Sequence, residues 1–193
     1  MAIAINGSSN TITGIAVGGL PDGIVDTDML AADSVTAPKI GSKTFTSYAI
    51  IADQKTQNSS GGTFTSGSFR HRDLNTILYD PDSIVSLSSN DFTLQAGSYF
   101  VRASAPAFGV DRHMALLRNH TDGTNIQTGT AAYNASQAYA QTRAFVSARF
   151  TLGAAKALRI THKCEATRSG NGFGVESNFS TETYTIVEIF KEA

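Results

Sequence analysis

The sequence contains no tryptophan, a single cysteine, four prolines and few charges, and it has no long apolar run. With Cys164 alone, an intrachain disulfide is excluded, so stability has to come from packing or from association. In a strand pattern, a lone cysteine reads as a small buried hydrophobe rather than a reactive thiol. No stretch approaches the roughly 20 apolar residues that a membrane-spanning helix needs. Lys and Arg number 15 against 16 Asp and Glu, a net charge of −1. Such a balance offers no basic field to attract nucleic acid or an anionic membrane. The start of the chain lacks Lys and Arg, and Asn6, Gly7, Ser8 and Ser9 break its apolar run. It therefore reads as no secretory signal, and the expectation is a protein made in a cytoplasm and not exported by the usual route.

Motifs for chemistry are equally sparse. Gly-x-Ser-x-Gly is absent. His113, His120 and His162 lack His-x-His or His-x-x-x-His spacing, so no metal site is expected. Asp80-Pro81-Asp82 resembles half a calcium loop but lacks its Gly and distal Glu, and reads as turn chemistry. The glycines of 170–174 sit in no strand-to-helix unit that would cradle phosphate. Asp111-Arg112-His113 and His71-Arg72-Asp73 could each supply a base, yet a structural hydrogen-bonded pair or interface salt bridge is the better reading of both. A retaining glycosidase needs two carboxylates about 5–5.5 Å apart, and nothing singles out such a pair. The expectation is no reaction, no cofactor and no metal.

What is present is β pattern. Hydrophobic residues make up 41% of the chain. Most of the remainder is Gly, Ser, Thr, Ala and Asn, which favours strands and turns over helices. The stretch 91–105 organises the rest. Phe92 and Leu94 alternate with Thr93 and Gln95, Gly97 interrupts, and Tyr99, Val101, Ala103 and Ala105 alternate with Phe100, Arg102 and Ser104. Period two puts successive side chains on opposite faces, and the glycine marks a bend. Further strands are expected at 48–52, 63–65, 69–74, 84–87, 112–119, 126–130, 143–152 and 157–164. The run 184–190 is apolar on both faces, which places it mid-sheet. Asp122-Gly123 signals a type I′ hairpin. Residues 131–140 read as a polar aromatic loop, and 170–179 as a Gly/Asn-rich one. The sum is an all-β jelly-roll sandwich of about ten antiparallel strands over residues 46–193.

Residues 1–45 differ. They hold no His, Arg or Tyr, and their aliphatics come singly or in pairs: Ile15, Val17, Leu20, Ile24, Val25, Met29 and Leu30 among them. Two short helical turns are expected, one starting near Met29 and one at Ala37-Pro38. So short a segment builds no core of its own, yet it is too regularly apolar for a disordered linker. Self-association, or docking on a larger surface, resolves the conflict.

The series Phe92-Thr93-Leu94-Gln95-Ala96-Gly97-Ser98-Tyr99-Phe100, the Asp122-Gly123 hairpin, the strand at 143–152 and the closing strand resemble, in that order, the globular head of complement-type and tumour-necrosis-factor-like proteins. More narrowly, 48–191 resembles a head domain on tail fibres and other appendages of bacterial viruses. The leader Gly19-Leu20-Pro21-Asp22-Gly23-Ile24-Val25 is similar to stalk segments of such fibres. The resemblance implies a homotrimer whose first, central, long late and last strands face a threefold axis. It would put Tyr48, Ile50, Tyr99, Phe100, Phe145, Ile186 and Ile189 at the interface. It also implies anchoring of the 1–45 segment to other virion proteins.

Recognition of a host surface glycan is expected from His120, Thr121 and Asn125 at a hairpin tip and from Tyr133, Asn134, Gln137 and Tyr139 in the polar loop. The leading expectation is a trimeric virion fibre or spike, assembled in the host cytoplasm, whose head serves host attachment or capsid decoration. Two alternatives stand beside it: a free cytokine-like or lectin-type binding module, and a glycan-degrading enzyme on the same appendage.

Overall fold

The computed structural model describes residues 4–6, 11–13, 45–137 and 139–193. The chain divides into two units, residues 1–42 and 43–193. In the first, β1 (Ala4–Asn6) pairs antiparallel with β2 (Thr11–Thr13), with Ile5 opposite Ile12. Ile15, Val17, Leu20, Ile24, Val25, Met29, Leu30 and both expected helical turns lie outside the described residues.

The second unit is all strand among its described residues. In chain order they are β3 (Phe45–Lys55), β4 (Arg70–His71), β5 (Thr76–Tyr79), β6 (Val85–Ser88), β7 (Asp91–Leu94), β8 (Gly97–Phe108), β9 (Asp111–Asn119), β10 (Thr124–Asn134), β11 (Gln141–Leu152), β12 (Lys156–Cys164) and β13 (Glu182–Glu192). One antiparallel sheet has the order β11-β8-β13-β3-β5. The other has the order β10-β9-β12-β7-β6, with β4 also on β12. This is the two-sheet jelly roll. The run that is apolar on both faces, β13, does sit mid-sheet, between β3 and β8.

The core forms where inward residues of the two sheets meet. Ile51, Tyr99, Val101, Val187 and Ile189 from the five-stranded sheet pack on Phe92, Leu94, Leu117, Leu158 and Ile160 from the other. A smaller cluster of Phe64, Ala107, Val110, Cys164 and Phe173 closes the loop end. Cys164 is buried there, and burial pushes its thiol up to about 11. Gly97 has φ +151° at the expected bend.

Four expectations of the sequence need correction. The strands at 63–65 and 69–74 shrink to an isolated Phe64–Arg168 bridge and the two residues of β4. There the Arg72 side chain turns into the interior, while its backbone N–H still bonds to Ile160 O of β12 at 2.9 Å. The edge strand β5 carries no period-two signal, and sequence reasoning passed over it. The polar loop is shorter than expected, since β10 runs on through Asn134 and keeps Tyr133 and Asn134 in register with Arg112 and Asp111. Finally, the β9–β10 turn is a four-residue loop in which only Gly123 has positive φ (+69°), so it is not type I′. Asn119 sets it by accepting from the Asp122 N–H at 3.0 Å and donating to the Asp122 carboxylate at 2.9 Å.

Candidate functional site

Strand parity decides what the five-stranded sheet shows to its outside. On β13, Val187 and Ile189 point inward and are buried, so Ile186, Glu188 and Phe190 point outward. Their cross-strand partners share that face. Phe190 stands opposite Tyr48 and Phe100, and Glu188 opposite Ile50 and Arg102. The result is an aromatic cluster on the outward side. Phe190 lies 5.0 Å from Phe45, 4.6 Å from Tyr48 and 5.9 Å from Phe100, ring centre to ring centre. Tyr79 joins at 6.0 Å from Tyr48. Phe45, Tyr79 and Phe145 are each more than half exposed. An antiparallel sheet with a wet face should show polar residues there; this one shows rings.

Polar groups frame the cluster. Arg149 and Glu192 pair at 2.6 Å at its border. Tyr48 donates its hydroxyl to Glu188 at 3.0 Å, and Arg102 lies 3.8 Å from the same carboxylate. Burial, then that hydrogen bond and the Glu188 charge, push the Tyr48 phenol up. Beyond them an open groove of about 750 Å³ runs past Ile50, Leu78, Phe145 and Ile186. Arg143 braces it from below, donating to Ser104 Oγ and to Tyr184 O at 2.5 Å each.

Of the seven residues expected at an interface, Tyr48, Ile50, Phe100, Phe145 and Ile186 share this outward face. Tyr99 and Ile189 do not: both are 0% exposed inside the sandwich of one chain. The reason is the strand period, since Tyr99 and its neighbour Phe100 must face opposite ways. Sequence reasoning missed Phe45, Tyr79 and Phe190. Phe190 was within reach, because it shares the period-two set of Ile186.

The expected recognition residues divide between the two ends of β10, roughly 30 Å apart at about 3.3 Å per residue. His120, Thr121 and Asn125 lie at the turn end. There the His120 ring is 3.8 Å from Asp91, Thr121 Oγ1 accepts from Ala157 N at 2.9 Å, and Asn125 Oδ1 accepts from Arg118 at 3.0 Å. Tyr133, Gln137 and Tyr139 are exposed at the other end, Tyr139 at 90% beside Phe108 and Arg168. Asn134 is a correction. It is buried, accepts from Val110 N at 2.6 Å and donates to Ala107 O at 2.9 Å, so it is a brace that no ligand reaches.

The motifs that could supply a base are structural. Asp111 accepts from Ser136 N at 2.7 Å. His113 is buried, with Nδ1 3.0 Å from His162 Nε2 and Nε2 2.7 Å from Thr142 Oγ1. Burial, then the nearby Arg72 charge, push His113 down to about 4 and His162 well below the usual range. Arg72 is wholly buried and donates to Thr185 Oγ1 (2.7 Å), Pro106 O (3.2 Å) and Phe173 O (2.8 Å), with its guanidinium 4.1 Å from the Phe173 ring. Asp80 accepts from Ile84 N and Val85 N at 2.9 and 3.0 Å, which is a turn and not a cation loop. Among the described residues, no three His, Cys, Asp or Glu side chains gather as a metal-ligand set.

No protein-family model matches the chain. The search of curated proteins returned no match. Solved structures do resemble it. The globular domain of zebrafish complement 1qA is 15% identical, with 76% of this chain and 96% of that one covered at a TM-score of 0.43. Murine APRIL is 8% identical, with 75% and 98% covered at 0.45. The Eiger TNF of S. frugiperda is 13% identical, with 76% and 92% covered at 0.48. At such identities and scores the likeness carries no functional argument. The jelly-roll architecture rests on the strand order itself.

Proposed function

We propose that the chain is a non-enzymatic binding head that works as a homotrimer, joined through the outward face of its five-stranded sheet. The observation that carries this reading is the ring cluster of Phe45, Tyr48, Tyr79, Phe100 and Phe190 on a surface that a lone sandwich would leave wet. Aromatic residues inside and an ion-paired border are the anatomy of an interface. Each large apolar side chain fully buried contributes roughly 1.5–3 kcal/mol, so a few per subunit suffice without a disulfide. The threefold count comes from the sequence resemblance of 92–100 to complement-type and tumour-necrosis-factor-like heads. In this reading Tyr133, Gln137 and Tyr139, at the far end of the sandwich from Phe45, are free to meet a surface partner.

Sedimentation equilibrium tests it. The chain should sediment at three times the mass of one copy, and a Phe100→Ser, Phe190→Ser double variant should sediment as a folded monomer. A monomeric wild-type chain would refute the proposal.

A narrower reading puts the head on a virion appendage, docked through residues 1–45 to other virion proteins. It is supported by the sequence likeness of 48–191 to appendage heads and of 19–25 to fibre stalks. Deleting residues 1–42 should then yield a soluble head that no longer enters particles. A free cytokine-like or lectin-type module would keep its binding after the same deletion, and the jelly-roll head supports that reading better than the virion one.

A further inference from the structure

The outward face of the six-stranded sheet gathers more positive charge than its carboxylates balance. Arg118 on β9 stands directly opposite Arg159 on β12, and like charges so placed destabilise a sheet. Of this pair, Arg159 has an acidic partner among the described residues: Asp91 clamps it, Nε to Oδ1 and Nη2 to Oδ2, both at 2.7 Å. Arg118 is held by neutral acceptors, the Asn125 side chain at 3.0 Å and Gly123 O at 2.8 Å. Among the described residues, Arg70 donates to Thr65 O at 3.4 Å. The next carboxylate along, Asp73, faces Lys55 at 3.4 Å.

The three arginines line a depression of about 370 Å³ together with Phe69, His71 and Thr161. Thr161 is 5% exposed, and its Oγ1 is shut off from solvent.

We propose that this depression binds the acidic group of a negatively charged sugar residue. Arg118 and Arg159 are already oriented by protein partners, so little ordering is lost on binding, and the charges of Arg118 and Arg70 are left for a carboxylate or sulfate. Phe69, 41% exposed with Lys163 Nζ 5.9 Å from its ring centre, offers an apolar plate for the sugar's C–H face. A nucleic acid would need a longer basic track, and the chain's net charge of −1 offers none. The site lies on the sheet opposite the aromatic face, so it stands whether or not the chain associates.

The test is calorimetric titration of the full chain with a short oligogalacturonate, with a neutral galactose oligomer of equal length, and with inorganic phosphate. The acidic oligomer should bind saturably and weaken with added salt, and the neutral one should bind at least tenfold more weakly. Arg118→Gln should cost about tenfold or more in affinity at an unchanged melting midpoint. Arg70→Gln, at an exposed side chain, should cost a few-fold and carries the test should Arg118→Gln fail to fold. Equal binding of acidic and neutral oligomers, wild-type affinity in a folded variant, or phosphate binding as tight as the acidic oligomer would overturn the proposal.

Discussion

Removing the Arg72 guanidinium would orphan three acceptors at once, Thr185 Oγ1, Pro106 O and Phe173 O, all inside the sandwich. Each buried group left unpaired costs about 1–3 kcal/mol. Arg72→Met should therefore lower unfolding free energy by about 3 kcal/mol or more, read as a lower urea midpoint; an unchanged midpoint would show that water replaces the arginine. The imidazoles beside it give a pH dependence. His113 and His162 are pushed down in the folded chain by burial, then by Arg72. The unfolded chain binds protons at its ordinary value near 6.5, while folded His113 resists until about 4. Between those values the unfolded state carries more protons, so stability is fully present above about pH 6.5 and declines as the pH falls towards 4. Around the pair stand Arg72, Asn134, Thr142, Phe64 and Cys164, with no carboxylate in hydrogen-bonding contact to hold an imidazolium. Melting midpoints of wild type and His162→Gln, compared from pH 7.5 to 4.5 (about the window of the shift), should converge on acidification. Parallel curves would assign acid sensitivity to other groups.

At the scale of an element, β10 meets a tight constraint at one point. It leaves β9's register between Thr128 and Ala131 and crosses towards β11. Gly129 sits at that crossing. A Cβ there would lie 2.7 Å from Val146 Cγ2 and 2.8 Å from Ala115 O, with Phe145 O closer still. Two of those atoms are backbone and cannot swing aside. Gly129→Ala should cost about 2–3 kcal/mol, measured by chemical denaturation, whereas Gly153→Ala, where a Cβ meets nothing within 4 Å, should be nearly silent. Strand β13 has the opposite character. Its inward Val187 and Ile189 hold the core, while its outward Ile186 and Phe190 are free to serve association. Substitutions on one strand should therefore divide by parity: Ile189→Ala lowers the melting midpoint, and Phe190→Ser lowers the sedimenting mass with a smaller change in melting.

For the whole molecule, the proposed association face and the arginine depression occupy opposite sides of one sandwich, and both lie within residues 45–193. A head lacking residues 1–42 should thus keep the stoichiometry and the melting midpoint of the full-length assembly. Loss of the assembly on that deletion would move the determinant of association into the leader.

Much of this was legible beforehand. Period-two alternation marked most strands, Gly97 marked the bend, and a run apolar on both faces announced the mid-sheet position of β13, because each of these is a local consequence of backbone geometry. Alternation says that neighbours face opposite ways but not which way is in, and so Tyr99 and Ile189 changed sides once the second sheet was in place. The buried partners are further out of reach. His113 meets His162 across 49 residues of chain and Arg72 meets Thr185 across 113. The facing of Arg118 and Arg159, the interior Asn134 and the open arginine depression arise in the same way. Local sequence specifies the strands; only the folded register decides which distant residues share a face, because cross-strand pairing is a property of the sheet as a whole.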